Sequence, residues 1–85
     1  MTKKVQVRYF ASIREALGRG EETVETQATT LGALRDELIA RGEPHAAVLA
    51  RGRAVRLAVD QVMAKEDAAL RDGAEVAFFP PVTGG

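Results

Sequence analysis

The most reactive group in this sequence is expected at its last residue, because Gly85 carries a free α-carboxylate. An unperturbed α-carboxylate has a pKa of about 3.3–3.7 and is ionised at pH 7. An ionised carboxylate is a poor electrophile, and it reacts with a nucleophile only after one oxygen has become a leaving group. ATP can provide such a leaving group, but the sequence has no glycine-rich loop between a strand and a helix to bind phosphates. We therefore expect a second protein, with its own ATP, to activate Gly85.

The residues before Gly85 are suited to carrying it into a narrow site. Pro80 and Pro81 lack backbone N–H groups and fix φ near −65°, so the preceding strand must stop there. Val82 and Thr83 keep the chain slim, and Gly84 has no Cβ atom. The pattern predicts a stiff spacer with a narrow tip, which could thread a channel where larger side chains would clash.

Conventional catalytic side chains are scarce. The sequence has no cysteine and only one histidine, His45, which follows Pro44. A lone histidine lacks the further ligands of a metal site, so we interpret His45 as a surface side chain. Ser12 lacks the sequence context of a nucleophile and is interpreted, with Glu15, as a helix-capping pair. The sequence therefore predicts neither a metal site nor a catalytic set of side chains.

Two groups of acidic residues are interpreted as solvated surface. Glu21, Glu22 and Glu25 fall on a predicted edge strand, where charge discourages aggregation between strands. Glu66 and Asp67 are adjacent in a predicted loop, and neighbouring side chains tend to point apart. No histidine or third carboxylate is close to this pair in sequence, so we do not expect an acid–base site there.

Composition excludes several classes of partner. The chain has 12 basic and 12 acidic residues, and this balance gives no general affinity for nucleic acid or for an anionic membrane. The absence of cysteine is compatible with a reducing compartment. Neither a signal-peptide pattern nor a membrane-spanning apolar window is found, so we expect a cytoplasmic globular domain.

Alternating apolar residues predict the strands of the fold. Val5, Val7 and Tyr9 share one face of the first predicted strand. Three further strands are predicted at residues 21–27, 53–61 and 74–79. The first of these, residues 21–27, is predicted to lie at the edge of the sheet.

One long helix is predicted over residues 29–42, with Leu31, Leu34 and Leu38 on one face and Thr30 as its N-cap. The last strand can pair parallel to the first, in the middle of a mixed sheet of four to five strands. This arrangement is the α+β, ubiquitin-like β-grasp, with one main helix across one face. A ferredoxin-like fold fits less well, because it needs a second long helix and the segment before the last strand is too short.

We divide the chain into a β-grasp domain, residues 1–79, and an extended Gly-Gly tail, residues 80–85. Phe10 and Phe79 both have the wrong strand parity for the core. If the first and last strands are neighbours, these rings lie together on the uncovered face of the sheet, with Met63 beside them. An exposed apolar cluster near the tail predicts a docking surface for a partner protein.

The sequence resembles the small subunit of molybdopterin synthase, a β-grasp sulfur carrier, over nearly its whole length. The resemblance is most specific in "DGAEVAFFPPVTGG" (72–85) and is supported by "YFASIREALG" (9–18) and "LAVDQ" (57–61). Asp60 stands where the family often has asparagine, and we expect this difference to affect a turn and not the chemistry.

The resemblance implies a cycle centred on Gly85. An E1-like adenylyltransferase uses ATP to form an acyl-adenylate on Gly85, and a persulfide-based sulfurtransferase converts this to a thiocarboxylate. The loaded tail then inserts into the large synthase subunit and gives sulfur to cyclic pyranopterin monophosphate. The catalytic side chains belong to the partner, and the small subunit itself binds no cofactor.

The resemblance also assigns partner contacts to individual residues. Phe10, Met63 and Phe79 match positions that contact the adenylating enzyme and the large subunit, and Arg14 is a candidate contact at their rim. Two alternatives remain open. One is another ubiquitin-like sulfur carrier or a protein modifier joined to lysines through Gly85, and the other is an interaction module with an unreactive tail.

Overall fold

The computed structural model describes residues 2–81 and shows three helices and five strands in that range. The predicted tail residues 82–85 lie outside the described residues. Within residues 2–81, no helix is long and apolar enough to cross a membrane. The elements, in chain order, are β1 (Lys3–Tyr9), α1 (Ala11–Leu17), β2 (Glu21–Thr26), α2 (Leu31–Ile39), α3 (His45–Leu49), β3 (Arg56–Val59), β4 (Val62–Ala64) and β5 (Glu75–Phe79).

The five strands form one mixed sheet in the order β2-β1-β5-β3-β4. β1 and β5 run parallel, with Val7 opposite Val76 and Tyr9 opposite Phe78. β5 also pairs antiparallel with β3, so the last strand in sequence occupies the centre of the sheet. This order confirms the predicted ubiquitin-like β-grasp and its central parallel pair.

The core lies on the sheet face that carries the predicted apolar parity. Leu31, Leu34 and Leu38 of α2 are fully buried against it, as their spacing predicts. Leu70 is also buried and fills the core from the segment before β5. The largest fully buried side chains of the strands are Val5, Val7, Tyr9, Val76 and Phe78.

The first turn of α2 is held by two contacts. The Thr30 hydroxyl accepts a hydrogen bond from the Ala33 N–H at 3.1 Å, which confirms the predicted N-cap. The Gly32 N–H donates to the carbonyl oxygen of Glu66 at 2.8 Å. A Cβ atom at Gly32 would lie only 3.1 Å from the Glu66 side chain. A side chain at residue 32 would therefore crowd residue 66, which lies close to the helix.

The start of α1 differs from the prediction. The N-cap is Phe10, and no side chain caps the helix, so the capping pair assigned to Ser12 and Glu15 is wrong. The Phe10 N–H is committed to the carbonyl oxygen of Phe78 at 3.2 Å, and the helix begins directly after this bond. Gly18, in the left-handed region at φ 75°, ends the helix.

Candidate functional site

An apolar groove of about 740 Å³ lies on the sheet face opposite the core. It brings together Phe10, Met63 and Phe79, the three residues that strand parity and the family resemblance single out. The rings of Phe10 and Phe79 meet edge to face, with their centroids 6.5 Å apart. The remaining lining consists of Arg8, Ala11, Ala58, Gln61, Glu75, Ala77, Pro80 and Pro81.

Large apolar side chains are unusually exposed around this groove. Phe10 is 41% exposed and Met63 59%, whereas Val62, 66% exposed, has the opposite strand parity to Met63 and does not line the groove. These three are the exposed large hydrophobic residues among those that the structure describes. Concentrated apolar exposure of this kind marks a surface that another molecule covers.

Strand alternation sets the position of the groove. Phe78 points into the core, so the next residue, Phe79, must point to the other face. Phe79 lies opposite Arg56 of β3, while Met63 is opposite Ala58 across the β3–β4 ladder. The small side chain of Ala58, at the centre, leaves room between the larger groups at the edges.

A charged pair lies within this apolar lining. Arg8 Nη1 is 3.4 Å from Glu75 Oε2, and the guanidinium carbon of Arg8 lies 5.6 Å from the centroid of the Phe10 ring. The buried Arg8 Nε has no hydrogen-bond partner among the described residues. Arg8 is not among the partner-binding residues predicted from the sequence. Its strand parity, shared with Phe10, nevertheless places it on the groove face.

Arg14 occupies a different part of the surface. It is exposed on α1, and its Nε would lie 3.2 Å from a Cβ atom at Gly20. It does not line the groove with Phe10. Its predicted contact with a partner stays a prediction.

The chain leaves the sheet at the edge of the groove. Pro80 and Pro81 are half-buried and line both the groove and a second cleft beside α1. A partner that accepts the following residues must therefore come within contact distance of the groove. The predicted insertion of Val82, Thr83, Gly84 and Gly85 into such a partner concerns residues outside the described range.

Residues 7–85 match the ThiS family, so the match includes the groove, the proline exit and the Gly-Gly ending. A molybdopterin synthase sulfur carrier subunit of Escherichia coli (strain K12) is 41% identical over 81 residues, covering 95% of this chain and 99% of that protein. The chain belongs to the ThiS family. The resemblance inferred from its sequence is thereby confirmed.

Solved structures agree with this family membership. A putative molybdopterin converting factor subunit 1 from Pyrococcus furiosus has a TM-score of 0.77 and 30% identity, covering 94% of this chain and 99% of that one. A protein–protein complex of subunits 1 and 2 of the molybdopterin-converting factor from Helicobacter pylori 26695 contains a chain with a TM-score of 0.61 and 26% identity. That match covers 96% of this chain and 99% of that chain.

Outside the groove, Glu22 is the centre of a half-buried polar cluster. Its carboxylate accepts hydrogen bonds from the Tyr9 hydroxyl at 2.7 Å and from Arg41 Nη1 at 2.8 Å, and His45 Nε2 lies 3.1 Å away. The Glu22 side chain is only 9% exposed and that of His45 15%. The predictions that Glu22 is a solvated edge charge and His45 a lone surface side chain are therefore wrong.

Contacts within this cluster shift the pKa values of Glu22 and Tyr9. Burial alone would raise the pKa of Glu22, but hydrogen bonds from Tyr9, Arg41 and His45 outweigh burial and lower it to about 2. Burial, reinforced by the hydrogen bond to Glu22, raises the pKa of Tyr9 well above its ordinary value. The charged Glu22 thus ties strand β2 to the end of α2 and to α3.

A second polar cluster surrounds Arg35 of α2, whose side chain is only 5% exposed. Its Nε donates to the Leu49 carbonyl at 2.7 Å, its Nη2 to the Ala50 carbonyl at 2.9 Å, and its Nη1 to Glu66 at 3.2 Å. Glu66 also pairs with Arg51. Glu66 lies in a loop with its side chain 40% exposed, as predicted, but the prediction missed that its carboxylate joins Arg51, after α3, to Arg35 of α2.

Neither polar cluster forms a metal centre. In residues 2–81, no group of three or more histidine, aspartate or glutamate side chains is arranged to hold a metal ion. Both clusters pair carboxylates with arginines, which satisfies the charges without an added ion.

Proposed function

We propose that this chain is the cytoplasmic sulfur carrier subunit of a molybdopterin synthase. The observation that supports this most strongly is that an apolar groove and a rigid proline exit lie side by side. The family match continues from both into the final Gly-Gly. A groove of this kind suits docking onto another protein, and the tail beyond Pro81 would then be delivered into that protein's site.

The proposed reaction begins at the Gly85 carboxylate. A carboxylate oxygen attacks the α-phosphorus of ATP in an E1-like adenylyltransferase, releasing pyrophosphate and forming an acyl-adenylate. A persulfide of a sulfurtransferase then attacks the acyl carbon and displaces AMP. A thiol cleaves the resulting S–S bond, leaving a thiocarboxylate on Gly85 and a disulfide on the donor.

The thiocarboxylate is the form that donates sulfur. Docked through the groove, the tail places the sulfur next to cyclic pyranopterin monophosphate in the large subunit, which contributes the catalytic side chains. The complex of the two subunits of the Helicobacter pylori molybdopterin-converting factor supports this division of labour. ATP serves the activating enzyme, and the carrier itself needs no bound cofactor.

Within the carrier, each part of the surface has a separate task. Phe10, Met63 and Phe79 supply apolar contact area for docking. Pro80 and Pro81 fix the direction in which the chain leaves the sheet, because their φ angles are restrained. The partner then has fewer tail conformations to select from, which lowers the entropic cost of inserting the tail.

Removing Gly85 tests the proposal directly. In a mixture of the adenylyltransferase, ATP, a persulfide donor and the large subunit, we expect the shortened chain to support no molybdopterin formation. A chain with one residue added after Gly85 should be equally inactive, whereas the same residue added before Met1 should change little. Intact mass spectrometry should show one terminal oxygen replaced by sulfur only in chains that end at Gly85. Molybdopterin formation by the shortened chain would refute the proposal.

The same variants distinguish the sulfur carrier from the alternative, a protein modifier. A modifier would yield conjugates on a denaturing gel that depend on Gly85 and on lysines of other proteins. Conjugates without molybdopterin formation would favour the modifier, and formation of molybdopterin without conjugates favours the sulfur carrier.

A further inference from the structure

A cleft of about 390 Å³ opens beside the proline exit. It is lined by four arginines in a chain whose net charge is zero. We call it the arginine cleft. Its lining includes Arg35, Arg51, Arg53, Arg56, Glu66 and Pro81.

Two of the four arginines are neutralised within the protein. Arg35 pairs with Glu66, and Arg51 pairs with both Glu66 and Asp36. The other two, Arg53 and Arg56, are exposed and form no ion pair with any residue in the range 2–81. As far as residues 2–81 are concerned, the cleft therefore presents two positive charges to solvent without a carboxylate partner.

These charges sit on a segment of fixed shape. The buried Arg35 donates to the carbonyl oxygens of Leu49 and Ala50, and Arg53 Nε donates to the Ala47 carbonyl at 3.1 Å. Arg56 belongs to β3 and is held in the sheet opposite Phe79. The backbone at both arginines and the Arg53 guanidinium are thus held in place before a partner binds, which lowers the cost of binding.

The arginine cleft adjoins the docking groove. Pro81 lines both, and Arg56 is the cross-strand neighbour of Phe79 in the groove. A protein that covers the groove and contacts Pro81 would therefore lie next to the arginine cleft. At such a position, unpaired cations would repel a basic surface and attract an acidic one.

From this placement we propose that the large synthase subunit carries carboxylate side chains at the rim of its tail-binding channel, and that they pair with Arg53 and Arg56. The proposal rests on the proposed function, since it names the chemistry of the partner surface in that same complex. Rim charges of this kind mainly accelerate association and fix the orientation of docking, and salt weakens both effects.

The test measures association of the carrier with the large subunit by surface plasmon resonance at about 50 mM and about 500 mM salt, where the Debye length differs roughly threefold. We expect Arg53→Glu and Arg56→Glu each to slow association about tenfold at low salt and to approach the wild-type rate at high salt. Arg53→Lys keeps the charge and should retain most of the wild-type rate. Arg71→Glu, an exposed charge reversal before β5 and away from Pro81, is the matched control and should leave the rate within about twofold.

Unfolding in urea will show whether each variant keeps the fold. If Arg53→Glu does not fold, Arg56→Glu still provides the test, because it removes no hydrogen bond within the cleft. Wild-type rates for both charge reversals would overturn the proposal while leaving the sulfur-carrier function standing. Equal slowing by Arg71→Glu, or slowing only against the adenylyltransferase, would also overturn it. Failure of the wild-type chain to bind the large subunit would instead refute the proposed function itself.

Discussion

Phe78 and Phe79 are adjacent in the chain, yet their rings lie on opposite faces of the sheet. Phe78 is fully buried and stacks on Tyr9 with a centroid distance of 6.1 Å. Phe79 is half-buried and meets the exposed Phe10 in the apolar groove. The same chemical side chain is therefore packed in the core at one position and lines the groove at the next.

This pair allows stability and docking to be measured separately. Phe78→Ala should lower the free energy of unfolding by about 3–5 kcal/mol, because it empties a site in the core. Phe79→Ala should lower it by about 1 kcal/mol, since only contacts with Phe10 and its surroundings are lost. Urea unfolding and titration with the large subunit should show weaker binding for Phe79→Ala with the fold intact. A large stability loss for Phe79→Ala would place Phe79 in the core and contradict the docking role.

The hydrogen bonds to Glu22 should make stability depend on pH. Because the pKa of Glu22 is lowered to about 2 in the folded protein and is about 4.3 when unfolded, its contribution is complete above about pH 5. That contribution is lost as the pH falls from about 5 to 2. Glu22→Gln should cost about 2 kcal/mol at pH 7, and the difference from the wild type should shrink towards pH 2.

Urea unfolding between pH 2 and 7 checks this expectation. Glu25→Gln is the matched control, because Glu25 lies on the same strand and is exposed. Its effect should be below about 0.5 kcal/mol at every pH. A constant difference between Glu22→Gln and the wild type across this range would show that the charge of Glu22 does not stabilise the fold.

Gly32 should resist replacement although it lies in a helix. Alanine would gain up to about 1 kcal/mol of helix propensity, but its Cβ would press on the Glu66 side chain and carbonyl oxygen. Arg35 and Arg51 hold Glu66 in place, so we expect a net destabilisation of about 1–2 kcal/mol. In a double-mutant cycle with Glu66→Gly, the cost of the same replacement should fall but not disappear, because the carbonyl oxygen of residue 66 still lies 3.2 Å from the Cβ position. A stabilised Gly32→Ala in the wild-type background would contradict the close approach.

In the β3–β4 turn, replacing a residue with glycine should stabilise the fold. Asp60 and Gln61 occupy the left-handed region at φ 49° and 68°, where glycine is preferred at the second position. Gln61→Gly should raise the free energy of unfolding by about 1 kcal/mol, whereas Gln61→Ala should leave it nearly unchanged. Asp60→Gly should not stabilise, because the Asp60 carboxylate accepts a hydrogen bond from the Glu75 N–H at 3.0 Å. Thermal unfolding of the three variants checks this order, and stabilisation by Gln61→Ala would argue against backbone strain.

Local periodicity was enough to predict most of the fold. The alternation around Val5 and Phe78 identified the core face, and the same parity assigned Phe10 and Phe79 to the opposite face. Asp60 does lie in a turn, and the expectation that its difference from asparagine affects this turn and not the chemistry stays a prediction. These features depend on neighbours in sequence, which is why pattern analysis could find them.

The polar clusters could not be predicted in the same way, because they join residues far apart in sequence. Glu22 lies 19 residues from Arg41, and Arg35 lies 31 residues from Glu66. Periodicity did contain a signal for both, since Glu22 has the parity of the buried Val24 and Arg35 falls on the leucine face of α2. The charges of Glu22 and Arg35 suggested that both side chains are exposed to solvent. Only the tertiary fold shows the oppositely charged partners that offset the cost of burying them.

The central position of β5 determines how the domain bears mechanical load. When a partner draws in the residues that follow Pro81, the pull acts along the axis of β5. The ladders to β1 and β3 flank this strand on both sides, so their hydrogen bonds are sheared together and are not peeled apart one by one. A strand at the edge of the sheet would have a single ladder to resist the same pull. Under the proposed function, an arm that is inserted into a partner and withdrawn would thus be anchored to a strand with a ladder on each side.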